Sequence, residues 1–381
     1  MFVLILGCAV VMVLLALGTL NARIPVLSSF ANTITVTGAH LYLVGQTLVL
    51  AVAMWYPPTM STVNRVILIG VILACVGAQV FMLWRMLRAT KAAGVPVRFS
   101  RAYWPRIIRG VSTRTYTYDT QLPNSLLKVF YCDDGKANKP VVIYTHGGGW
   151  FYGSKEDRTY YHRHAATEGC VVVSIDYALS DAHHHYAGQT EQQLLRGLDW
   201  VLANISQFNG QVDRWTFAGD SAGGNLALNL AFKINAGLYT QPDSTPYPAV
   251  SAVCVTYPVA DPVGFYHNPD LIMGAVTRYS ARSYTGGTPE EQPEVYASIT
   301  PGQFITPNAP AVSIVLGTQD AAVPHTGSLA LVNQLNAVGV RTHLVAIPYA
   351  NHACDTFWGS IASEAYIHAA RVMRQSVQSG T

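Results

Sequence analysis

The stretch Trp215-Thr216-Phe217-Ala218-Gly219-Asp220-Ser221-Ala222-Gly223 decides how this chain is read. Residues 215–218 are bulky, β-branched or apolar, a strand signal, and an apolar run with helical spacing follows from Ala222. Between them, Gly219-Asp220-Ser221-Ala222-Gly223 matches G-x-S-x-G, the sharp strand-to-helix turn that lifts a serine hydroxyl above a sheet. The flanking glycines permit a backbone approach that a Cβ would obstruct. A helix N-terminus beside Ser221 favours developing negative charge. Taken alone, the pentapeptide is a weak signal, because small-residue turns are common and an ordinary βα turn has the same look.

Outward from this turn, β-rich runs at 115–118, 126–131, 141–145, 171–175, 215–218, 252–256, 311–316 and 341–347 alternate with helical spacing at 190–208, 222–236, 326–337 and 361–375. Alternation of this kind predicts an α/β domain over 114–381, with about eight mostly parallel strands and helices on both faces. The interval 261–308, rich in Pro, Gly and Tyr, is too long for a plain connection and reads as a lid-like insertion.

A second signal stands directly after the strand at 141–145, where His146-Gly147-Gly148-Gly149-Trp150 occurs. Attack on a carbonyl develops an oxyanion, and unshielded backbone N–H groups stabilise it. Gly147, Gly148 and Gly149, with Ala222 just after the serine, are the candidate donors. A serine also needs a base, and the base an acid that fixes its tautomer. Asp320 follows the seventh strand, and His352 follows the eighth. The order Ser221, Asp320, His352 is the one expected on such a sheet. Asp355 is nearer to His352 in sequence, but the acid should come from the end of the preceding strand. Asp220 should point away from the base. Trp150 and Tyr152, with Phe151 between them, are candidate substrate-binding residues. His183-His184-His185 has no accompanying carboxylate pattern, and adjacent residues project in different directions, so no metal site is assigned.

His-Gly-Gly-Gly-Trp together with Gly-Asp-Ser-Ala-Gly-Gly resembles the hormone-sensitive-lipase-like esterases of the α/β-hydrolase superfamily, over roughly 140–381. Ser174-Ile175-Asp176-Tyr177-Ala178-Leu179 resembles that group's Asp-Tyr-Arg-Leu segment, and Trp150-Phe151-Tyr152-Gly153 continues its oxyanion loop. The acid loop departs from the group: Asp320-Ala321-Ala322 stands where Asp-Pro-Leu is usual. Gly317-Thr318-Gln319-Asp320 with Val323-Pro324 is closer to an acetyl- and feruloyl-esterase-like branch. The resemblance implies the α/β-hydrolase fold and a cofactor-free serine hydrolase acting on short-chain or lipid-linked esters. Acyl transfer or amide cleavage would use the same three residues. A purely binding role would predict loss of one of them, and all three are present.

Composition adds a membrane. Half of the 381 residues are hydrophobic and only 12% charged, well below the quarter typical of soluble domains. Apolar runs free of Asp, Glu, Lys and Arg lie near 2–20, 39–56 and 66–84, each about long enough to cross a bilayer. They predict a three-helix anchor over 1–90, with turns around Asn21, Arg23 and Pro25 and around Pro57, Pro58, Asn64 and Arg65. The first run lacks the basic start of a cleaved signal peptide, so retention is expected. A basic linker over 91–113 follows. Arg85, Arg88, Lys91, Arg98, Arg101, Arg106 and Arg109 place the catalytic domain on the cytoplasmic side by the positive-inside rule. The net charge of +3 and the absence of long basic blocks exclude nucleic acid as a partner. Six scattered cysteines form no C-x-x-C pair and are expected to pack as small apolar residues.

Overall fold

The computed structural model describes residues 2–21, 25–55, 61–103 and 107–379; the expectations for Arg23, Pro57, Pro58 and Arg106 lie outside them. The eight strands are β1 (Ser112–Thr117), β2 (Leu126–Tyr131), β3 (Lys139–Thr145), β4 (Val171–Ile175), β5 (Gly210–Asp220), β6 (Ala252–Thr256), β7 (Ala311–Gly317) and β8 (Thr342–Ile347). They form one sheet in the order β1-β2-β4-β3-β5-β6-β7-β8. Pairings from β4 to β8 are parallel, while β1–β2 and β2–β4 are antiparallel. The sequence explains the arrangement. β4 (VVVSI) and β6 (AVCVT) are buried along their whole length, as central parallel strands covered on both faces must be. β1 (STRTYT) is polar and exposed, and forms the edge.

The helices are α1 (Phe2–Leu20), α2 (Pro25–Asn32), α3 (Ala39–Trp55), α4 (Thr62–Ala92), α5 (Ser100–Tyr103), α6 (Thr159–Thr167), α7 (Ala187–Asn204), α8 (Ser221–Asn235), α9 (Pro262–Tyr266), α10 (Met273–Thr285), α11 (Pro293–Ser298), α12 (His325–Ala337) and α13 (Ile361–Ser379). The interval 261–308 is thus largely helical, holding α9, α10 and α11. A buried ion pair fixes it to the body: Lys233 on α8 bonds Glu191 on α7 at 2.7 Å and the Ser298 carbonyl at 2.8 Å.

Two N-terminal helices among the described residues, Val3–Leu20 and Thr62–Ala92, are long and apolar enough to cross a membrane. The stretch Phe30–Thr37 and α3, bent against each other by 91°, would together count as a third span. Two differences from the sequence reading follow. Residues around Pro25, read as a turn, form α2 and a π-helical continuation, Thr33–Thr37. And α4 does not stop at Trp84 but runs through Arg85, Arg88 and Lys91 to Ala92. The reason is packing: Leu83, Met86 and Leu87, followed by Val95, Val97 and Phe99, join one apolar cluster with Val315 of β7, Val345 and Ile347 of β8 and Ile361 of α13. Met86 and Val95 are buried and the other four partly so; a fully buried side chain of this kind contributes about 1.5–3 kcal/mol, which favours continuing the helix onto the domain.

Candidate active site

β5 delivers Ser221 at a turn so tight that the serine takes φ 53°, left-handed backbone for a residue with a Cβ. Its neighbours make the turn close. A Cβ on Gly219 would lie 2.5 Å from the Gly223 carbonyl oxygen, and one on Gly223 would lie 2.2 Å from that of Thr145. Only glycine fits either place. The strain, of order 1–3 kcal/mol, is held by β5 on one side and the buried α8 on the other.

The structure brings Ser221, His352 and Asp320 together. His352 Nε2 is 3.1 Å from Ser221 Oγ, and His352 Nδ1 is 2.8 Å from Asp320 Oδ2. The other Asp320 oxygen accepts the N–H groups of Ala322 and Val323 at 2.9 and 2.8 Å, which fixes the carboxylate's rotamer. Asn351 Oδ1 accepts the N–H of Ala321 at 2.8 Å and so joins the acid loop to the histidine loop. An ionised Asp320 can only accept, so Nδ1 carries the hydrogen and Nε2 is left free to take one. Asp320 is 1% exposed and His352 23%. Burial disfavours the imidazolium, but the carboxylates of Asp320, Asp220 and Asp355 together outweigh it and hold the His352 pKa above the ordinary histidine value.

Facing them is the glycine loop. Gly148 has φ 107°, and a Cβ there would sit 2.0 Å from the Tyr152 carbonyl oxygen. The Tyr152 N–H closes the loop onto the Gly148 carbonyl at 3.0 Å. His146, kept neutral by burial, stacks on Tyr177 at 4.3 Å. The Tyr177 hydroxyl donates to the His146 carbonyl at 2.8 Å, so the Asp176-Tyr177 segment braces the loop. Ser280 of α10 donates to the Gly149 carbonyl at 2.7 Å. Gly147, Gly148, Gly149, Ser221 and His352 line a single cleft of about 740 Å³, within the ~300–1,000 Å³ usual for small-molecule sites. Ala222 is buried in the first turn of α8, where backbone N–H groups have no partner within the helix.

The aromatic residues divide. Tyr152 and Phe151 line the cleft, and Tyr152 is 71% exposed. Trp150 is not among its lining residues: it is buried, stacked on Tyr284 of α10 at 4.6 Å and edge-on to Phe265 of α9 at 5.8 Å. The glycine loop turns its indole inward, so it clamps the 261–308 insertion instead of meeting a ligand. His184 binds Asp181, and His185 the Ser283 carbonyl; no metal-holding cluster exists among the described residues. All six cysteines are unpaired.

A group that no motif announced lies behind the three residues. Arg158, on a left-handed turn ahead of α6, reaches Asp355 at 3.0 Å and Asp220 at 3.5 Å and donates to the Tyr257 hydroxyl. Tyr257 in turn donates to Asp355 at 2.6 Å, while Tyr144 donates to Asp220. Burial, followed by the nearby charges, raises both phenol pKa values, so each stays a donor. The Tyr257 ring packs 4.4 Å from the His352 ring. Asp355 is therefore bound to Arg158 and Tyr257, and Asp220 to Tyr144 and Arg158. The signal available in the sequence was two extra carboxylates flanking the serine and the histidine, each needing a counter-charge when buried.

The family model BD-FAE matches residues 127–335, more than half of the chain. The chain belongs to the BD-FAE family. It is 28% identical over 228 residues to esterase LipC of Mycobacterium tuberculosis, covering 58% of this chain and 54% of LipC. To carboxylesterase NlhH of the same organism it is 36% identical over 124 residues, 32% of this chain and 37% of NlhH. The chain thus spans about half or less of these curated relatives. Among solved structures, esterase B from Lactobacillus rhamnosis superposes with a TM-score of 0.61 at 21% identity, over 78% of this chain and 96% of that one. A bacterial heroin esterase gives 0.60 at 19% identity, over 76% and 96%. These likenesses, with the strand order above, make the domain built on β1 to β8 an α/β-hydrolase fold.

Proposed function

We propose that this BD-FAE family member is a membrane-anchored serine esterase that hydrolyses carboxylic esters through an acyl-enzyme. The observation that carries the reading is the continuous hydrogen-bonded line from Asp320 through His352 to Ser221, ending in a cleft floored by glycine backbone. His352 Nε2 takes the Ser221 proton while Oγ attacks the acyl carbon. The oxyanion forms toward the N–H groups of Gly148, with Gly147 or Gly149, and Ala222. His352 then returns the proton to the leaving alcohol, and water repeats the sequence on the acyl-enzyme. Asp320 keeps the imidazole oriented and stabilises its charged form. No cofactor enters any step.

Esterase names among the relatives support the reaction class, and the apolar N-terminal helices support a bilayer location with short-chain or lipid-linked esters as substrates. Arg85, Arg88 and Lys91 at the domain end of α4 support a cytoplasmic catalytic domain. The test is labelling by a fluorophosphonate probe combined with turnover of esters graded by acyl length. Wild type should label and hydrolyse; Ser221→Ala should do neither, with turnover reduced on the order of 10³-fold or more. Absence of labelling of the folded wild type, or equal turnover by both proteins, would remove the proposal.

A further inference from the structure

The anchor and the active site share one edge of the sheet. Helix α4 runs antiparallel to β8: Arg85 lies over the Tyr349 ring, just past the carboxyl end of β8, while the Ala93 carbonyl meets His343 near its start at 3.0 Å. The apolar part of α4, residues before Arg85, therefore projects beyond the carboxyl ends of the strands, the edge that carries Ser221, Asp320 and His352. Aromatic and basic residues mark a water–lipid boundary at that level, with Arg85 over Phe81 and Arg88 over Trp84.

The short helix α2 lies at the same level. Thr35, in the π-helical stretch that follows it, bonds Thr19 at the end of α1 at 2.7 Å, and Gln79 of α4 donates to the Thr35 carbonyl at 2.8 Å. Asn32, the last residue of α2, donates to Gln319 at 2.9 Å, next to Asp320. On the other side of the acid loop, Asn268 donates to the carbonyls of Ala321 and Ala322 at 2.8 and 3.0 Å. Three residues later the insertion exposes Leu271 (79%) and Ile272, followed on α10 by Val276 and Tyr279, and α2 exposes Phe30 (64%). Asp270 beside this patch is half-buried and accepts the N–H groups of Ile272 and Met273 at the start of α10. Val276 also lines the cleft. Large apolar side chains in water beside a catalytic cleft call for a partner.

We propose that Phe30, Leu271, Ile272, Val276 and Tyr279 form a lipid-seated rim, inserted among the acyl chains of the leaflet that the anchor enters. The cleft then opens on the bilayer, and its substrate is an ester resident in that leaflet, admitted acyl chain first past Val276. This substrate class rests on the serine esterase reading; the seating of the rim does not.

Both parts are tested with the full chain in phosphatidylcholine vesicles. A phosphatidylcholine carrying a diazirine in its acyl chain should, on irradiation, leave adducts on residues 271–279 as well as on α1, α3 and α4. Adducts confined to the N-terminal helices would overturn the seating, whatever the chemistry of Ser221. In vesicles containing dioleoylglycerol, the pair Leu271→Glu with Ile272→Glu should lower its hydrolysis on the order of tenfold or more, since two apolar anchors are lost. Turnover of the water-soluble p-nitrophenyl acetate should stay within about twofold, because neither residue touches the triad. Equal losses on both esters, or none on either, would overturn the bilayer route. A wild type that adds adducts at 271–279 yet hydrolyses neither ester would retire the esterase reading while leaving the rim in place.

Discussion

Replacing Arg158 by Met removes a cation that Asp220 and Asp355 share while keeping most of its volume. The guanidinium is 14% exposed, Asp355 3% and Asp220 15%, so the cluster is largely dry. Breaking a buried pair by removing one partner costs about 3–5 kcal/mol, because the remaining charge is left uncompensated; here two carboxylates are left. Thermal unfolding in detergent should fall accordingly, by about 2–4 °C per kcal/mol for a domain of this size. A structural role would end there. The cluster also faces His352: Asp220 and Asp355 both favour its charged form, and the Tyr257 ring packs on its imidazole. Without Arg158, their unscreened charge should push the His352 pKa further upward. The acid limb of kcat/KM should move to higher pH, kcat should fall more than KM rises, and Arg158→Lys should restore part of both. An unmoved acid limb, or a lysine variant no better than methionine, would refute a positioning role for Arg158.

Two further outcomes follow from the same geometry. Asp320→Asn should keep the fold, since its Oδ1 can still accept from Ala322 and Val323, but its amide would face Nδ1 and favour the wrong tautomer; turnover should drop by roughly 10³–10⁴-fold, and a drop under tenfold would argue against Asp320 as the orienting acid. In wild type, His352 must be neutral to accept the serine proton, and its pKa is raised; activity should therefore fall as pH drops through a value above the ordinary histidine pKa of about 6.5, and a pH-rate profile flat down to pH 5 would exclude His352 as the base.

What the sequence made legible was what is local. Parallel strands buried on both faces are unbroken apolar runs, so β4 and β6 could be bounded almost to the residue, and the glycine spacing around Ser221 encodes a close approach that no other residue allows. The order of Ser221, Asp320 and His352 follows from strand ends, and the three side chains do meet. What escaped is non-local. Arg158 and Asp355 are 197 residues apart, and neither sits in a motif. Trp150 has the composition of a cleft residue, yet the left-handed backbone at Gly149 and Trp150 rotates its indole into the insertion. α2 is a short segment between two strongly apolar runs, packed on α1 and hydrogen-bonded through Asn32 to Gln319 of the acid loop, contacts that no local pattern announces. The end of α4 lies beyond the apolar run for a similar reason: Met86 is buried, and Leu83 and Leu87 partly buried, in the cluster that holds β8 and α13.

That last contact changes what the N-terminal helices do. A tethered hydrolase would be free to orient its cleft in any direction from the bilayer, and a flexible linker would leave substrate access to chance. Here Met86, Val95 and Val36 share one apolar cluster with Tyr257, Ile347, Ala350 and Cys354, residues that flank His352 in sequence or touch it in space. The end of α4 and the residues beside His352 are thus packed into one core, and protein interiors are too dense for one to rotate without disturbing the other. The orientation of α4 relative to the cleft is consequently a property of the folded state. The end of α4 serves as one wall of the domain, with the carboxyl edge of the sheet held at the level where Phe81 and Trp84 give way to Arg85 and Arg88.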